Sequence, residues 1–330
     1  MLSELEIIER IARLTATRAG VAVGIGDDAA VLTGDPATVV TQDLLVDGVH
    51  FRRSTSDLAD IGHKALAVNL SDVAAMGAAP VAAIVGLGLP DVDPVDGAGI
   101  DRLYGAMEAL AGRHDVTIAG GDVTRAPALV LSVTAIGTMA AGVAPVLRSG
   151  ARPGDLLCVT GTLGAAAAGL AVLDDPRLAA GITEADALRA ASRRPTPRVA
   201  AGRRLATGGA TAMLDCSDGL ALDALRIARA SGVSVELDLE SVPVAGGVAG
   251  VAARRGIAGD VLAATGGDDY ELIVTVPPDG LDRARRDLDV PLTVVGRVVA
   301  GPAELRARRD GLPVELGRLG WEHRLGAPAG

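Results

Sequence analysis

The chain has 330 residues, 49% of them hydrophobic, enough for about two domains with a sizeable core. A formal net charge of −10 argues against a nucleic-acid surface, which needs a basic stripe, and no apolar run of about 18 residues is present to span a membrane. Two cysteines, Cys158 and Cys216, make neither a disulfide framework nor a CxxC pair, and the acidic N-terminus lacks a signal-peptide layout, so a cytoplasmic protein is expected.

Ser3 and Glu6 form a capping box that predicts a helix over 3–14, with Leu5, Ile8 and Ala12 on one face. A short apolar strand over 39–41 ends at Gln42-Asp43. The helical pattern over 57–76 carries an apolar stripe of Leu66, Leu70 and Val73. Beside it runs a stripe of Ala65, Asn69, Asp72 and Met76, which sets Asp72 at the margin of the buried face. Pro80 and Pro90 bound a core strand over 81–89. A helix over 100–114, a strand over 116–119 that runs into Gly120-Gly121-Asp122, and a strand over 129–138 complete a mixed first half. Gly, Pro and Arg concentrate over 142–154, and the boundary is placed there, giving domains 1–143 and 144–330.

The second half restarts with a strand over 156–160 and helices over 164–173 and 197–206. A strand over 212–214 delivers Asp215, and a helix begins near Asp218. Strands over 233–237 and 272–276 flank a Gly266-Gly267 turn, followed by a helix over 281–288 and a strand over 292–295.

Six aspartate segments with small neighbours recur along this pattern: Gly24-Ile25-Gly26-Asp27-Asp28, Thr41-Gln42-Asp43, Asn69-Leu70-Ser71-Asp72, Gly120-Gly121-Asp122, Asp215-Cys216-Ser217-Asp218-Gly219 and Gly266-Gly267-Asp268-Asp269-Tyr270-Glu271. Each alone reads equally well as a turn or a helix cap. Several together at strand ends, where open sheets gather ligands, point to Mg²⁺ and a polyphosphate. No GxGxxG or GxxxxGK[ST] loop is present, so phosphate is not held by a glycine-rich nest. The histidines show no HxxxH spacing and no GxSxG elbow occurs, which disfavours zinc and a serine hydrolase. Lysine, asparagine and glutamine occur once each, as Lys64, Asn69 and Gln42, in or beside these segments.

In order, these segments resemble the thiamine-monophosphate kinases, members of the superfamily that also holds aminoimidazole ribonucleotide synthetase and selenophosphate synthetase. Besides the six segments, the match includes the Asp43-to-Phe51 stretch, the Lys64-to-Ala78 helix and Leu147-Arg148-Ser149-Gly150, and it covers nearly the whole chain. The resemblance implies an α/β plus α+β two-domain synthetase-like fold. In it, an N-terminal mixed-sheet domain binds ATP and Mg²⁺ and forms a homodimer, and a C-terminal α+β domain follows. It implies transfer of the ATP γ-phosphoryl group to thiamine monophosphate, giving thiamine diphosphate. By motif match, Asp28, Thr41, Gln42, Asp43, Asp72, Asp122, Asp215 and Asp218 would surround several Mg²⁺ ions. Tyr104, Gly121, Asp122, Arg148 and Ser217 would contact ATP, and His50, Asp268 and Trp321 the thiamine phosphate. Gln42 stands where the family commonly has a hydroxyl residue, and Asp268 where it often has Glu. The acceptor phosphate is already ionised at neutral pH, so no residue is expected to act as a general base. The alternatives are another ATP-using synthetase of the superfamily, or a non-catalytic nucleotide- and metal-binding protein.

Overall fold

The computed structural model describes residues 4–14 and 19–322; Ser3 of the expected capping box and the Leu5 side chain lie outside the described residues. Helix α1 (Glu4–Leu14) precedes three strands, β1 (Val21–Val23), β2 (Ala30–Leu32) and β3 (Thr38–Val46). Then come α2 (Leu58–Ala75), β4 (Ala79–Pro90), α3 (Gly97–Arg113), β5 (Thr117–Ala126) and β6 (Val130–Thr138). The second half holds β7 (Leu156–Thr160), α4 (Ala165–Asp174), α5 (Ala185–Arg193), α6 (Val199–Gly208) and β8 (Ala212–Asp215). It continues with α7 (Leu220–Ser231), β9 (Ser234–Asp238), α8 (Val248–Arg254), α9 (Gly259–Thr265) and β10 (Leu272–Val276). It ends with α10 (Leu281–Arg285), β11 (Leu292–Val299), β12 (Leu305–Arg309) and β13 (Leu312–Pro313).

Two sheets carry the architecture. The first has six strands in the order β1-β2-β3-β6-β4-β5, antiparallel except for β4 beside β5. The second has seven in the order β13-β12-β9-β11-β7-β10-β8. Helix α2 packs against β3, β4 and β6 on one side and against α6 and β8 of the second half on another. It is therefore buried nearly all round, with Leu66 and Leu70 fully enclosed, rather than along the single stripe its periodicity suggests. A buried leucine of this kind contributes about 2 kcal/mol of transfer free energy. Asp57 opens α2 by accepting from the Asp60 amide. Gly62 lies against the main chain of Leu103 on α3, and Gly202 of α6 against that of Ala74 on α2; a Cβ at either would collide with backbone. These two contacts pin α2 from both sides and fix where Asp72 points.

Several strands run further than the sequence suggests, two of them across aspartate segments. Strand β3 continues through Gln42-Asp43 to Val46 because β6 pairs with all nine of its residues. Strand β5 continues through Gly120-Gly121-Asp122, so this segment is not a corner at a strand end. Gly120 adopts φ +152°, and Gly121 sits so close to Val85 that a side chain would strike its carbonyl, which lets β5 hug β4.

One face of the first sheet is covered by α2 and α3; among the described residues the other carries exposed side chains and is the open face. On that face Leu44 and Ile84 are 51% and 44% exposed. No helix among the described residues is long and apolar enough to cross a membrane.

Candidate active site

Asp28 lies in the turn between β1 and β2, Thr41 and Asp43 on β3, Asp72 on α2, and Asp215 at the end of β8. Carboxylate oxygens of Asp28, Asp72 and Asp215 come within 4.8 Å of one another. Four separate stretches, from both halves of the chain, thus converge on one point. The Thr41 hydroxyl donates to Asp72 Oδ2 at 2.6 Å, and the Ser71 hydroxyl to Asp215 Oδ2 at 2.6 Å. Asn69 Oδ1 accepts from the Asp43 amide at 3.0 Å, which ties β3 to α2 beside the carboxylates.

Crowding of like charges in a buried place disfavours ionisation. Burial, followed by Asp43, Asp215 and Asp28, pushes Asp72 well above the usual carboxylate range. Burial and then Asp28 do the same to Asp215, and push Asp43 up to about 6. Burial followed by Asp28 raises Asp27 to about 6 as well. One cation answers these charges directly: Arg148 Nη2 donates to Asp28 Oδ1 at 2.7 Å, and its backbone amide donates to Asp27. Burial works against the guanidinium, but Asp28 and Asp27 hold it charged.

The second oxygen of Asp28, Oδ2, is buried with no hydrogen-bond partner. An unsatisfied buried carboxylate oxygen is costly unless a cation meets it. The converging donors are all hard oxygens, with no imidazole or thiol among the three clustered residues. That donor set fits Mg²⁺ or Mn²⁺ and does not fit zinc.

A second cluster lies at the loop before β10. Asp268 Oδ2 pairs with Lys64 of α2 at 2.9 Å, and its Oδ1 accepts from the Tyr270 hydroxyl at 3.1 Å. Lys64 also approaches the His50 carbonyl oxygen at 3.5 Å, which brings His50 to the same corner. His50 Nδ1 accepts from the Val46 amide, closing the turn after β3. The neighbouring Asp269 accepts from the Gly164 and Ala166 amides at the start of α4, and Glu271 is buried in a pair with Arg198. These two acidic residues of the sixth segment therefore serve the framework.

Other expected residues fall elsewhere. Gln42 bonds Ser132 and Thr134 on the open face of the sheet, because alternation along β3 turns it away from Thr41 and Asp43. Its side chain does not meet the Asp28, Asp72 and Asp215 group. Asp218 forms an ion pair with Arg226 and stands outside that group too. Asp43, Val133, Val85 and Gly121 are successive partners across β3, β6, β4 and β5. Three strand spacings, about 14 Å, thus separate Gly121 and Asp122 from Asp43. Tyr104 is half-buried on α3, and Ser217 follows Cys216 in the loop after β8. Trp321 is 51% exposed, carries Arg318 at 5.0 Å over its ring, and its amide donates to the Asp218 carbonyl.

The family models described as AIR synthase related protein, N-terminal domain and C-terminal domain, match residues 26–139 and 152–306. The thiamine-monophosphate kinase of Salmonella typhimurium is 40% identical over 94% of this chain and 94% of its own. The chain belongs to the thiamine-monophosphate kinase family. The structure described as "AaThiL complexed with AMPPCP and TMP" matches with a TM-score of 0.85 at 30% identity, covering 98% of this chain and 97% of that one. The thiamine-monophosphate kinase from Stenotrophomonas maltophilia K279a matches with a TM-score of 0.75 at 39% identity, covering 95% and 98%. The two-domain synthetase-like fold expected from the sequence is thus the fold of this kinase family. Sequence reasoning gave no role to Ser71, Asp27 or Lys64, although each touches a residue it did select. The signal was available: all three lie inside the stretches that carry the family resemblance.

Proposed function

We propose that this chain transfers the γ-phosphoryl group of ATP to the phosphate of thiamine monophosphate, giving thiamine diphosphate and ADP. The observation that carries the reading is the buried carboxylate group with its unpartnered Asp28 oxygen, built from both halves of a member of this family. The relative's complex with AMPPCP, an ATP analogue, and TMP supports the two substrates. Asp28, Thr41, Asp43, Asp72 and Asp215 would hold Mg²⁺, which when bound screens two polyanions and stabilises charge on the transferring group. Two unit charges about 4 Å apart repel by about 4 kcal/mol at an effective dielectric of 20, so screening several phosphate charges decides whether the substrates can meet. The protein's own residues then orient them. Arg148 offers a guanidinium to the nucleotide phosphates, with Ser217 and Tyr104 around the nucleotide and Gly121, like Asp122, supplied from a second copy. His50 and Asp268 meet the acceptor, and Trp321 is placed to stack on its cationic ring. No side chain removes a proton from the acceptor. Purified protein given ATP, Mg²⁺ and thiamine monophosphate is expected to form thiamine diphosphate, read by chromatography. Turnover of a different acceptor with no diphosphate formed would overturn the reading.

We place the division at 143/144, between β6 of the first sheet and β7 of the second; the site draws on both parts, with Asp28, Asp43, His50 and Asp72 from the first and Arg148, Asp215, Ser217 and Asp268 from the second. A homodimer through the open face of the first sheet fits the rest. Leu44 and Ile84 are exposed apolar side chains there. Asp122 shares a cross-strand row with Gly86, Ser132 and Leu44, so it belongs to that face. A second copy seated on the face would bring a nucleotide-contacting Asp122 towards a site it cannot reach within one chain. The Ile84→Asp variant is expected to run as a monomer in light scattering and to lose most activity; a fully active monomer would refute the dimer. The buried free cysteines Cys158 and Cys216 agree with a reducing cytoplasm.

A further inference from the structure

Lys64 is the one lysine of the chain; its other long cationic side chains are arginine. Its side chain is only 9% exposed, and its ammonium reaches a carboxylate 204 residues downstream. That carboxylate, Asp268, is fastened on every side. Lys64 holds Oδ2, Tyr270 holds Oδ1, and the Asp268 amide donates to the Ser217 carbonyl at 2.7 Å. The Tyr270 amide donates to the Cys216 carbonyl at 2.9 Å. Asp268 and Tyr270 have left-handed backbones, φ 68° and 52°, which residues bearing side chains seldom adopt. A loop held this tightly in a disfavoured conformation has a placed carboxylate, and that carboxylate is still 40% exposed.

The surroundings explain why a cation is needed. Burial, then Asp268, Asp43 and Asp215, push the Tyr270 phenol well above its ordinary range, so three carboxylates bear on this corner. The lysine head is a compact point charge on a stem that runs through buried space from α2. A carboxylate has about four acceptor positions, and the two donors leave some of them for a ligand.

We infer that Lys64 is the positioning residue for the acceptor substrate: it sets the Asp268 carboxylate so that its open edge faces the substrate's cationic or amine-bearing rings. This rests on the reading of Asp268 as an acceptor contact given above. Lys64 acts through Asp268, so its loss should weaken acceptor binding and leave the nucleotide end alone.

The test separates charge from packing. Lys64→Met keeps the stem and removes the charge; Lys64→Arg keeps the charge. The Met variant is expected to raise KM for thiamine monophosphate about tenfold, with KM for ATP within about twofold and kcat within about threefold. The Arg variant is expected to recover most of the loss. An unchanged acceptor KM in the Met variant, or an equal rise in KM for ATP, would overturn the inference. Wild-type protein assayed in parallel keeps the two readings apart, since its failure to use thiamine monophosphate counts against the function itself. A second measurement reads the pair without activity. Because the lysine is unique, acylation of its amine by an N-hydroxysuccinimide ester can be followed by peptide mass spectrometry. Asp268→Asn is expected to speed that reaction severalfold, and equal rates in the two proteins would remove the pair and the inference with it.

Discussion

Replacing Asp72 by Asn is expected to lower kcat by about 10²–10³-fold while the folded protein melts no lower than wild type. The loss has the size found when one preorganised charge partner of a transition state is removed. Asp72 lies where three carboxylates come within 4.8 Å, so it would contribute a charge shared by any cation held there. The stability half of the expectation follows from the same crowding. Asp43, Asp215 and Asp28 all repel the Asp72 carboxylate, and burial disfavours its charge further. An amide keeps an oxygen to accept from Thr41, which donates at 2.6 Å in the native protein, and it removes the repulsion. Steady-state assays with saturating ATP and Mg²⁺, together with thermal melts in chelator, check both halves. Turnover within about tenfold of wild type would show that Asp72 is not part of the metal-holding group.

The α2 pattern shows what was legible in the sequence and why. Its two adjacent stripes placed Asp72 at a buried margin, and Asp72 is half-buried within the carboxylate cluster. The periodicity could not reveal that α6 and β8 would close the remaining side, because that packing comes from residues more than a hundred positions away. Strands β1 and β2 escaped because three residues each is too short for alternation to register, and they border an Asp-rich turn. Helices α8 and α9 are seven residues each, and the alanine and glycine in them leave no apolar period to read. Strands β12 and β13 fell beyond the last element expected, in a stretch where arginine interrupts the apolar pattern. The glycines at 120 and 121 read as a corner because glycine usually marks one; here they serve an edge strand packed close to its neighbour. Gln42 went astray for a reason of parity: once β3 extends past 41, one residue's step turns a side chain to the opposite face. The roles of Asp269 and Glu271 were hidden because an aspartate that caps a helix and one that faces a ligand look alike in sequence.

Metal-free protein is expected to lose stability as pH rises from about 5 to 8, and Mg²⁺ is expected to abolish most of that loss. The sign follows from the direction of the shifts. A carboxyl group in an unfolded chain titrates near 4, and the fold raises Asp43 and Asp27 to about 6 and carries Asp72 and Asp215 well upward. Above the unfolded value the unfolded state has already released these protons while the native state still holds them. Native stability attached to the bound protons is therefore full at low pH, and it disappears as pH climbs through about 6. This is the reverse of ordinary acid denaturation, in which salt-bridged carboxylates favour the native state at neutral pH. A shift of two pH units on one such group amounts to roughly 3 kcal/mol in full, of which about 1 kcal/mol falls above pH 5.5, and several groups of the coupled cluster contribute, so a fall in Tm of about 3–6 °C between pH 5.5 and 8 is expected. A cation in the cluster replaces those protons. At a free concentration about a hundredfold above its dissociation constant it adds about 2.7 kcal/mol, enough to offset the loss at pH 8. Melting curves in chelator and in excess Mg²⁺ at both pH values read this directly. Asp72→Asn serves as the internal control, because one charge fewer in the cluster should flatten the metal-free slope and shrink the Mg²⁺ effect together. Burial lowers His63 and His114, which works in the opposite direction over the same range, so the comparison with Asp72→Asn decides: a metal-free slope unchanged in that variant would mean that the Asp43, Asp72 and Asp215 group ionises without penalty, and the case for a cation held there would go with it.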